Sequence, residues 1–309
     1  MEIIGSDQLS LLNNEVAATI GFFDGVHAGH GFLLEQLKKQ ANARKFPAMV
    51  ITFRQHPQNI LQAGLHSGLL NTFNERIERL ASSGIDYCLL LDFTQQLSEM
   101  NAKGFIQDKL KKEWHVKLLL IGYNHRFGKS RAEGFDDYVK YGRECGIEVI
   151  QASELPDCQV SSTHIRNCLL ENNLREANRM LSYNYRLEGK IIEGNRIGRK
   201  IGFPTANLEV NDNNKIIPCE GVYAVRIHRG MEKFSGMVYI GERPTVVICG
   251  QERIEVHLFN FSGDLYGETL QLEFIEFLRD GKQFDNLEEL KKQLLTDREA
   301  AVAVLSGSV

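Results

Sequence analysis

The sequence predicts a parallel α/β unit followed by a small antiparallel β-barrel with a C-terminal helix. Three observations carry this reading. In the first half, short apolar runs alternate with helical patterns. After about residue 184 helical periodicity stops, and glycines separate short β-rich runs. From Asn286 to Leu305 a helical pattern returns.

In the first half the strand runs are Val16–Phe23, Ala48–Phe53, Tyr87–Phe93, Lys117–Gly122 and Ile147–Ala152. Short apolar runs of this kind suit strands buried on both faces. Between them, Leu33, Leu37 and Ala41 share one helix face, as do Ile77 with Leu80 and Phe105, Ile106 with Leu110. Strand and helix in alternation give a parallel sheet covered on both sides. Ser161–Ser182 reads as two consecutive helices. The later strand runs are GVYAVRI, FSGMVYI, RIEVHLFNF and TLQLEFIEF, and several short strands with turn signals suggest a barrel. In the final helix Leu290, Leu294 and Leu295 are the expected apolar contacts. The boundary is expected near Ser182–Leu187, giving domains 1–183 and 184–309.

Composition narrows the class. The 309 residues are 43% hydrophobic and 25% charged, a globular balance. A net charge of -4 gives no electrostatic reason to expect nucleic acid as partner. No apolar run reaches the roughly 18 residues a spanning helix needs, and the start does not read as a signal peptide. No membrane partner is expected. Cys88, Cys145, Cys158, Cys168, Cys219 and Cys249 form no CxxC pair, so reduced structural thiols in a cytoplasmic protein are expected. Any homo-oligomer is expected to be weak.

The most informative run is Gly21-Phe22-Phe23-Asp24-Gly25-Val26-His27-Ala28-Gly29-His30, between a strand and a helix. Such a turn presents backbone N–H groups to an anion, and the helix dipole favours negative charge there. His27 and His30 are one turn apart and share a face. Gly29 would let a bulky ligand approach the backbone. Two other readings of the same residues are a helix capped by Asp24 with surface histidines, and a metal pair.

Farther on, Thr52-Phe53-Arg54-Gln55-His56-Pro57 follows the second strand. Gly122-Tyr123-Asn124-His125-Arg126-Phe127-Gly128-Lys129-Ser130 has five bulky residues between its glycines, where a Walker A loop has four, so it is not that loop. Ser161, Ser162 and Thr163 can cap a helix or, with Arg166, hold phosphates. In the second half, Gly198-Arg199-Lys200-Ile201-Gly202-Phe203-Pro204-Thr205-Ala206-Asn207-Leu208 reads either as a structural turn or as a metal–phosphate loop. The Thr205 hydroxyl and Asn207 carbonyl are hard oxygen donors suited to Mg²⁺. Glu255 alternates with Ile254 and Val256, so it lies on the opposite strand face, either solvated or functional.

GFFDGVHAGH resembles the HxGH nucleotidyltransferase signature in its FAD synthetase form. TFRQHP, the Gly122–Ser130 stretch and SSTHIR resemble further motifs of that family. GRKIGFPTAN resembles the riboflavin kinase signature. GVYA, IGERPT, IEVHL, FSGDLYG, Leu278-Arg279 and Lys282-Gln283-Phe284 follow in that family's order. The resemblance covers about Ala18 to Asp297. It implies a bifunctional riboflavin kinase and FMN adenylyltransferase: a Rossmann-like nucleotidyltransferase domain, then a riboflavin kinase-like barrel. Riboflavin, FMN and ATP are the implied substrates, with Mg²⁺. His27 and His30 are implied to act on ATP. Gly21, Phe23, Asp24, Gly29, Asn124, Ser161, Ser162, Thr163 and Arg166 are implied to bind it in the first site, and Gly198, Arg199, Gly202 and Pro204 in the second. Thr205 and Asn207 are the implied metal ligands, Glu255 the implied base, and Arg279 and Phe284 the implied flavin contacts. The sequence departs from the family pattern at Tyr123, His125, His164, Tyr239 and Asn260, and the last two are expected to stand clear of the catalytic set. Two alternatives stay open: a different adenylyltransferase, for pantetheine phosphate or nicotinamide mononucleotide, and a non-catalytic flavin-binding protein.

Overall fold

The computed structural model describes residues 1–5, 8, 14–56, 68–123, 125–129, 133–156, 159–193, 198, 202–242 and 252–307. Its contacts divide the chain into two units, Met1–Ser161 and Ser162–Val309.

The first unit is built on a six-stranded parallel sheet. Its strands are β1 (Glu2–Gly5), β2 (Val16–Ile20), β3 (Ala48–Phe53), β4 (Tyr87–Leu91), β5 (Val116–Ile121) and β6 (Glu148–Gln151). Their order across the sheet is β1-β4-β3-β2-β5-β6. The edge strand β1 was not among the expected runs; two of its four residues are buried. Chain order reverses at β2, which has β3 on one side and β5 on the other. Open α/β sheets bind ligands at such a crossing, beyond the carboxyl ends of the strands.

Each sheet face is covered. On one side α1 (Ala28–Arg44) packs Leu34, Leu37 and Ala41 against Ala17, Val50 and Leu118. Leu34 rather than Leu33 completes that stripe, and Leu33 is half-buried beside it. α2 (Phe73–Ser82) adds Leu80 to the same face, and Thr72 and Glu75 close a capping box at its start. On the other side lie α3 (Phe105–Glu113), wound with π-helical bonds, and α4 (Phe135–Cys145). They bury Phe105, Ile106, Leu110 and Tyr138 against Ala18, Met49 and Leu119.

α5 (Ser162–Leu170) and α6 (Leu174–Leu181) open the second unit. The strands β7 (Arg186–Ile192), β8 (Ala206–Val210), β9 (Gly221–Arg229), β10 (Glu232–Glu242), β11 (Glu252–Leu258) and β12 (Thr269–Arg279) follow. They close an antiparallel barrel in the order β10-β11-β8-β7-β12-β9. Val225, Val238, Ile254 and Val256 belong to the strand face that fills it, and all are buried. The opposite face of β9 and β10 is roofed by α7 (Leu287–Ser306), whose Ala301 and Leu305 pack on Ala224 and Met237. Leu295, expected to pack, is instead 46% exposed.

What fixes α7 is polar. Arg279, ending β12, donates from Nε and Nη2 to both oxygens of Asp297, at 2.8 and 2.7 Å. Gln293 donates to the same carboxylate at 2.9 Å. Asp297 is buried, and an acid in that position requires such pairing.

α5 and α6 pack on the barrel. Asn178 donates to Phe274 O at 2.9 Å and accepts from Tyr185 N at 2.8 Å. Cys219 N donates to Leu169 O at 3.1 Å. Leu174, Ala177, Met180 and Leu181 are all buried. The contact boundary therefore precedes these helices, about twenty residues before the expected Ser182–Leu187. Burying a large apolar side chain contributes about 1.5–3 kcal/mol, so Leu174, Met180 and Leu181 together are a sizeable loss. A fragment of residues 162–309 should unfold at a distinctly higher temperature and urea midpoint than one of residues 184–309. Equal midpoints, read by circular dichroism, would show that the two helices add nothing to the barrel's stability.

Candidate functional site

In the first unit the chain leaves β2 at Ile20 and turns sharply into α1. Phe23, Gly25 and Val26 all have positive φ, at 60°, 80° and 35°. For a β-branched residue such as Val26 this is a strained conformation, and strain of that kind persists only when neighbours enforce it. Asp24 is one enforcer. Its carboxylate accepts from Leu70 N at 3.0 Å and Asn71 N at 3.3 Å, so it ties the turn to the segment before α2. Arg76, on α2, is another. Its guanidinium donates to Phe22 O at 2.9 Å and Phe53 O at 2.5 Å and lies 3.9 Å over the Phe22 ring. It is fully buried, and that burial lowers its pKa to about 10.

The cap of α1 is His27, not Asp24. His30 N donates to His27 Nδ1 at 3.3 Å, and the two rings stack with centroids 3.7 Å apart. An Nδ1 that accepts leaves the proton of a neutral imidazole on Nε2, so His27 presents an N–H donor from its other edge. Gly29 has a local reason as well: a Cβ there would stand 3.3 Å from the His27 ring. Burial lowers His27 to about 4. His30 lies well below its ordinary value, through burial first and then the neighbouring His27 and His125. Its outer surface is partly exposed, while its Nδ1 is buried without a hydrogen-bond partner among the described residues. His125 follows β5, so the switch point gathers imidazoles from both strands. Gly21 lies beside the Phe23 ring, and Phe23 packs edge-on to His30 with centroids 5.2 Å apart. The described residues contain no group of three His, Cys, Asp or Glu side chains that could hold a metal.

Asn124 and Arg199, both expected to bind ATP, lie outside the described residues. Phe127, in the same loop as His125, stacks on Tyr138 at 4.3 Å, and the Tyr138 hydroxyl accepts from Phe127 N at 3.1 Å. Ser161 directly precedes α5, Ser162 and Thr163 lie in its first turn, and Arg166 is one turn in.

The second unit holds a cavity of about 270 Å³ between the outer face of the barrel wall and α7. One row of register partners crosses its floor. Asn207 on β8 pairs with Glu255 on β11, Glu255 with Tyr239 on β10, Tyr239 with Val222 on β9, and Val222 with Arg279 on β12. All five line the cavity, with Thr205, Gly198, Arg253, Phe284 and Leu294. The structure thus brings together Glu255, Thr205, Asn207, Gly198, Arg279 and Phe284. Burial pushes the Glu255 carboxyl above its usual range, and the ion pair with Arg253 pulls the other way. Tyr239 was expected to stand clear of these residues and instead stands directly across from Glu255, lining the same cavity. Asn260 does not line it.

A second cavity of about 270 Å³ is lined by Pro204, Thr205, Val256 and the run Phe261–Tyr266. Thr205 lines both. The loop bearing Thr205 is pinned by His257, whose Nδ1 donates to Pro204 O at 2.7 Å. Phe203 N donates to Gly198 O at 2.9 Å, and a Cβ on Gly198 would collide with Phe203 O. Gly202 turns the chain with φ of 83°. The positioning roles of Arg76 and His257 were not predicted. Their only sequence signal was a charged residue in the apolar stripe of a helix and an imidazole in an alternating strand.

Comparison with known proteins assigns each unit. The FAD synthetase family matches residues 10–164, and the riboflavin kinase family matches residues 181–305. A bifunctional riboflavin kinase/FMN adenylyltransferase of Escherichia coli K12 is 35% identical over 282 residues, 90% of this chain and 89% of its own. One from Buchnera aphidicola is 35% identical and covers 96% of both chains. The crystal structure of a macrolide-efflux protein from Streptococcus pneumoniae, 30% identical, matches with a TM-score of 0.87 over 97% of this chain and 99% of that one. No helix among the described residues here is long and apolar enough to cross a membrane.

The buried imidazoles give a pH dependence. The folded pKa of His27 lies below its ordinary 6.5, so the unfolded chain binds the proton more tightly. Stability is then full above pH 6.5 and is lost as pH falls toward 4, by about 3 kcal/mol from this group. Trp114, the single tryptophan, is buried in the first unit and reports on its unfolding. Urea midpoints followed by its fluorescence should fall more steeply between pH 6.5 and 4 in the wild type than in His27→Gln. Parallel curves would show that His27 is not held neutral.

Proposed function

The chain belongs to the family of bifunctional riboflavin kinases/FMN adenylyltransferases, and from that premise we propose how its residues divide the two reactions. It phosphorylates riboflavin to FMN with ATP, and joins FMN to the adenylyl group of a second ATP to give FAD and pyrophosphate.

The kinase step belongs to the two cavities of the second unit. The observation that carries this is Thr205, which lines both. A phosphoryl transfer needs an alcohol on one side of the reacting phosphorus and a nucleotide on the other. The cavity with Glu255 takes riboflavin, and the cavity with Pro204 and Phe261–Tyr266 takes ATP. Thr205 and Asn207 would hold Mg²⁺. The donor set suits it: neutral hard oxygens that leave room for water and phosphate, with no thiolate or imidazole cage. When bound, the ion would neutralise charge on the phosphates. Glu255 accepts the proton of the terminal ribityl hydroxyl as the new P–O bond forms. Its desolvated carboxylate is a stronger base than one in water. His257 holds the Thr205 loop in place through Pro204. Val222, Phe284, Leu290 and Leu294 offer apolar surface to the isoalloxazine. Arg279 supports that wall through Asp297, with its guanidinium 6.0 Å from the Phe284 ring.

The adenylyl step belongs to the switch point of the first unit. FMN brings a phosphate that is already ionised at neutral pH, so no base is required. Positioning and charge stabilisation remain. His27 and His30, neutral before ATP binds, present N–H donors near the start of α1, where its dipole favours an anion. Gly21, Phe23 and Gly29 shape that turn. Ser161, Ser162, Thr163 and Arg166 are proposed as further phosphate donors on the family resemblance alone. ATP binding and cytoplasmic location are part of the same reading.

Measuring both half-reactions on one purified protein tests the division. Glu255→Gln should lower riboflavin phosphorylation by roughly a hundredfold or more, the usual worth of a general base, and leave FMN adenylylation intact. Kinase turnover near the wild-type rate would remove Glu255 from the role. His30→Ala should do the reverse, cutting FAD synthesis by orders of magnitude while riboflavin phosphorylation continues. If His30→Ala made FAD at the wild-type rate, the phosphate donors would have to be sought elsewhere at the switch point.

A further inference from the structure

We infer that Tyr239, which lines the kinase cavity, and Glu220, exposed beside it, form a hydroxyl-reading pair, selecting flavins whose N10 side chain is a polyol over those with a plain alkyl chain. The inference rests on the kinase reading of this cavity. It starts from the row Asn207–Glu255–Tyr239–Val222 on the cavity floor. Neighbouring strands lie about 4.8 Å apart. With the reacting hydroxyl at Glu255 and the isoalloxazine on the apolar side of Val222, the chain joining them must pass over Tyr239. That chain carries three further hydroxyls in riboflavin, and they need partners when water is excluded.

Tyr239 is built to supply one. Its hydroxyl donates to Glu220 Oε1 at 3.2 Å, which leaves the phenol oxygen able to accept. The Glu220 carboxylate, placed beside Gly281, has lone pairs to spare for a second hydroxyl. The phenol lies along the strand over Gly241, where a Cβ would collide with its hydroxyl. The ring is thereby held down on the cavity floor and its oxygen fixed beside Arg253, the register partner of Gly241. Burial raises the pKa of Tyr239, and Glu220 raises it further, so the phenol stays protonated and the pair keeps its polarity. A site that satisfies substrate hydroxyls discriminates against an analogue lacking them, because its own polar atoms are then left unpaired.

The test compares kinase kcat/KM for riboflavin with that for 10-(5-hydroxypentyl)isoalloxazine carrying the same ring methyls. This probe keeps the reacting hydroxyl and lacks the other three. The full-length protein should prefer riboflavin. In Tyr239→Phe the ratio of the two values should fall about threefold to tenfold, the worth of one hydrogen bond, chiefly through KM for riboflavin. Glu220→Gln should lower the ratio in the same direction. A ratio unchanged in both variants overturns the inference, and so does a wild type that does not discriminate. A general packing defect would depress both substrates alike and leave the ratio where it was, which also counts against it. Absence of riboflavin phosphorylation in the wild type would instead overturn the kinase reading itself.

Discussion

The second unit depends on the ion pair between Arg279 and the buried Asp297. A six-stranded barrel of this size fills its own interior with apolar side chains and has no room there for a flavin. The cavity proposed for riboflavin lies on the outside, where α7 is held against the wall. The Arg279–Asp297 pair does this. It joins the end of β12 to the middle of α7 with two parallel hydrogen bonds, and Gln293 occupies a carboxylate lone pair. Such pairs contribute little over an apolar substitute, but losing one partner leaves a buried charge, at a cost of about 3–5 kcal/mol. The pair therefore fixes the position of α7 rather than merely strengthening the fold. Leu294 and Leu290, one and two turns before Asp297, line the cavity as its roof because Asp297 is held in place. Arg279, which the family pattern suggests as a flavin contact, shapes this cavity through the pair.

Under the proposed division of the two reactions, the two regions solve opposite electrostatic problems. In the first, the reacting groups are anions and the protein must offer donors without forcing a proton transfer. Stacked, buried imidazoles meet that need. Their desolvation keeps them uncharged while empty, and each added phosphate charge would favour protonation. In the second, the nucleophile is a neutral alcohol, so a proton acceptor is required. There desolvation acts on a carboxylate and raises its basicity, while Arg253 keeps the ionised form accessible. Burial is the common cause, and the sign of its effect follows from the charge of the group buried.

Much of this was legible in the sequence, for identifiable reasons. The strand–turn–helix around Gly21–His30 is local, so its parts are adjacent in the chain. The same is true of GRKIGFPTAN. Alternation placed Glu255 on the face opposite Ile254 and Val256, and the structure keeps it there. What the sequence did not disclose depends on pairings between distant residues. The allegiance of α5 and α6 to the barrel rests on Asn178 meeting Phe274 and Tyr185. Their amphipathic pattern would be the same against either unit. The cap of α1 fell to His27 because Asp24 is occupied by Leu70 and Asn71, some 46 residues away. Arg76 reads as a surface charge until the carbonyls of Phe22 and Phe53 are seen around it.

Tyr239 illustrates the same limit most sharply. In sequence it is sixteen residues from Glu255. Its neighbour is set by the register of β10 and β11, and a shift of one residue would have sent it into the barrel interior. Once that register is known, two glycine-related facts follow together. Gly241 must lack a side chain for the phenol to lie flat, and the phenol must lie flat for its hydroxyl to reach Glu220. A departure from the family pattern is therefore accommodated by a residue within that pattern, the glycine of the IG pair. Substitution at one of these positions cannot be interpreted without the other.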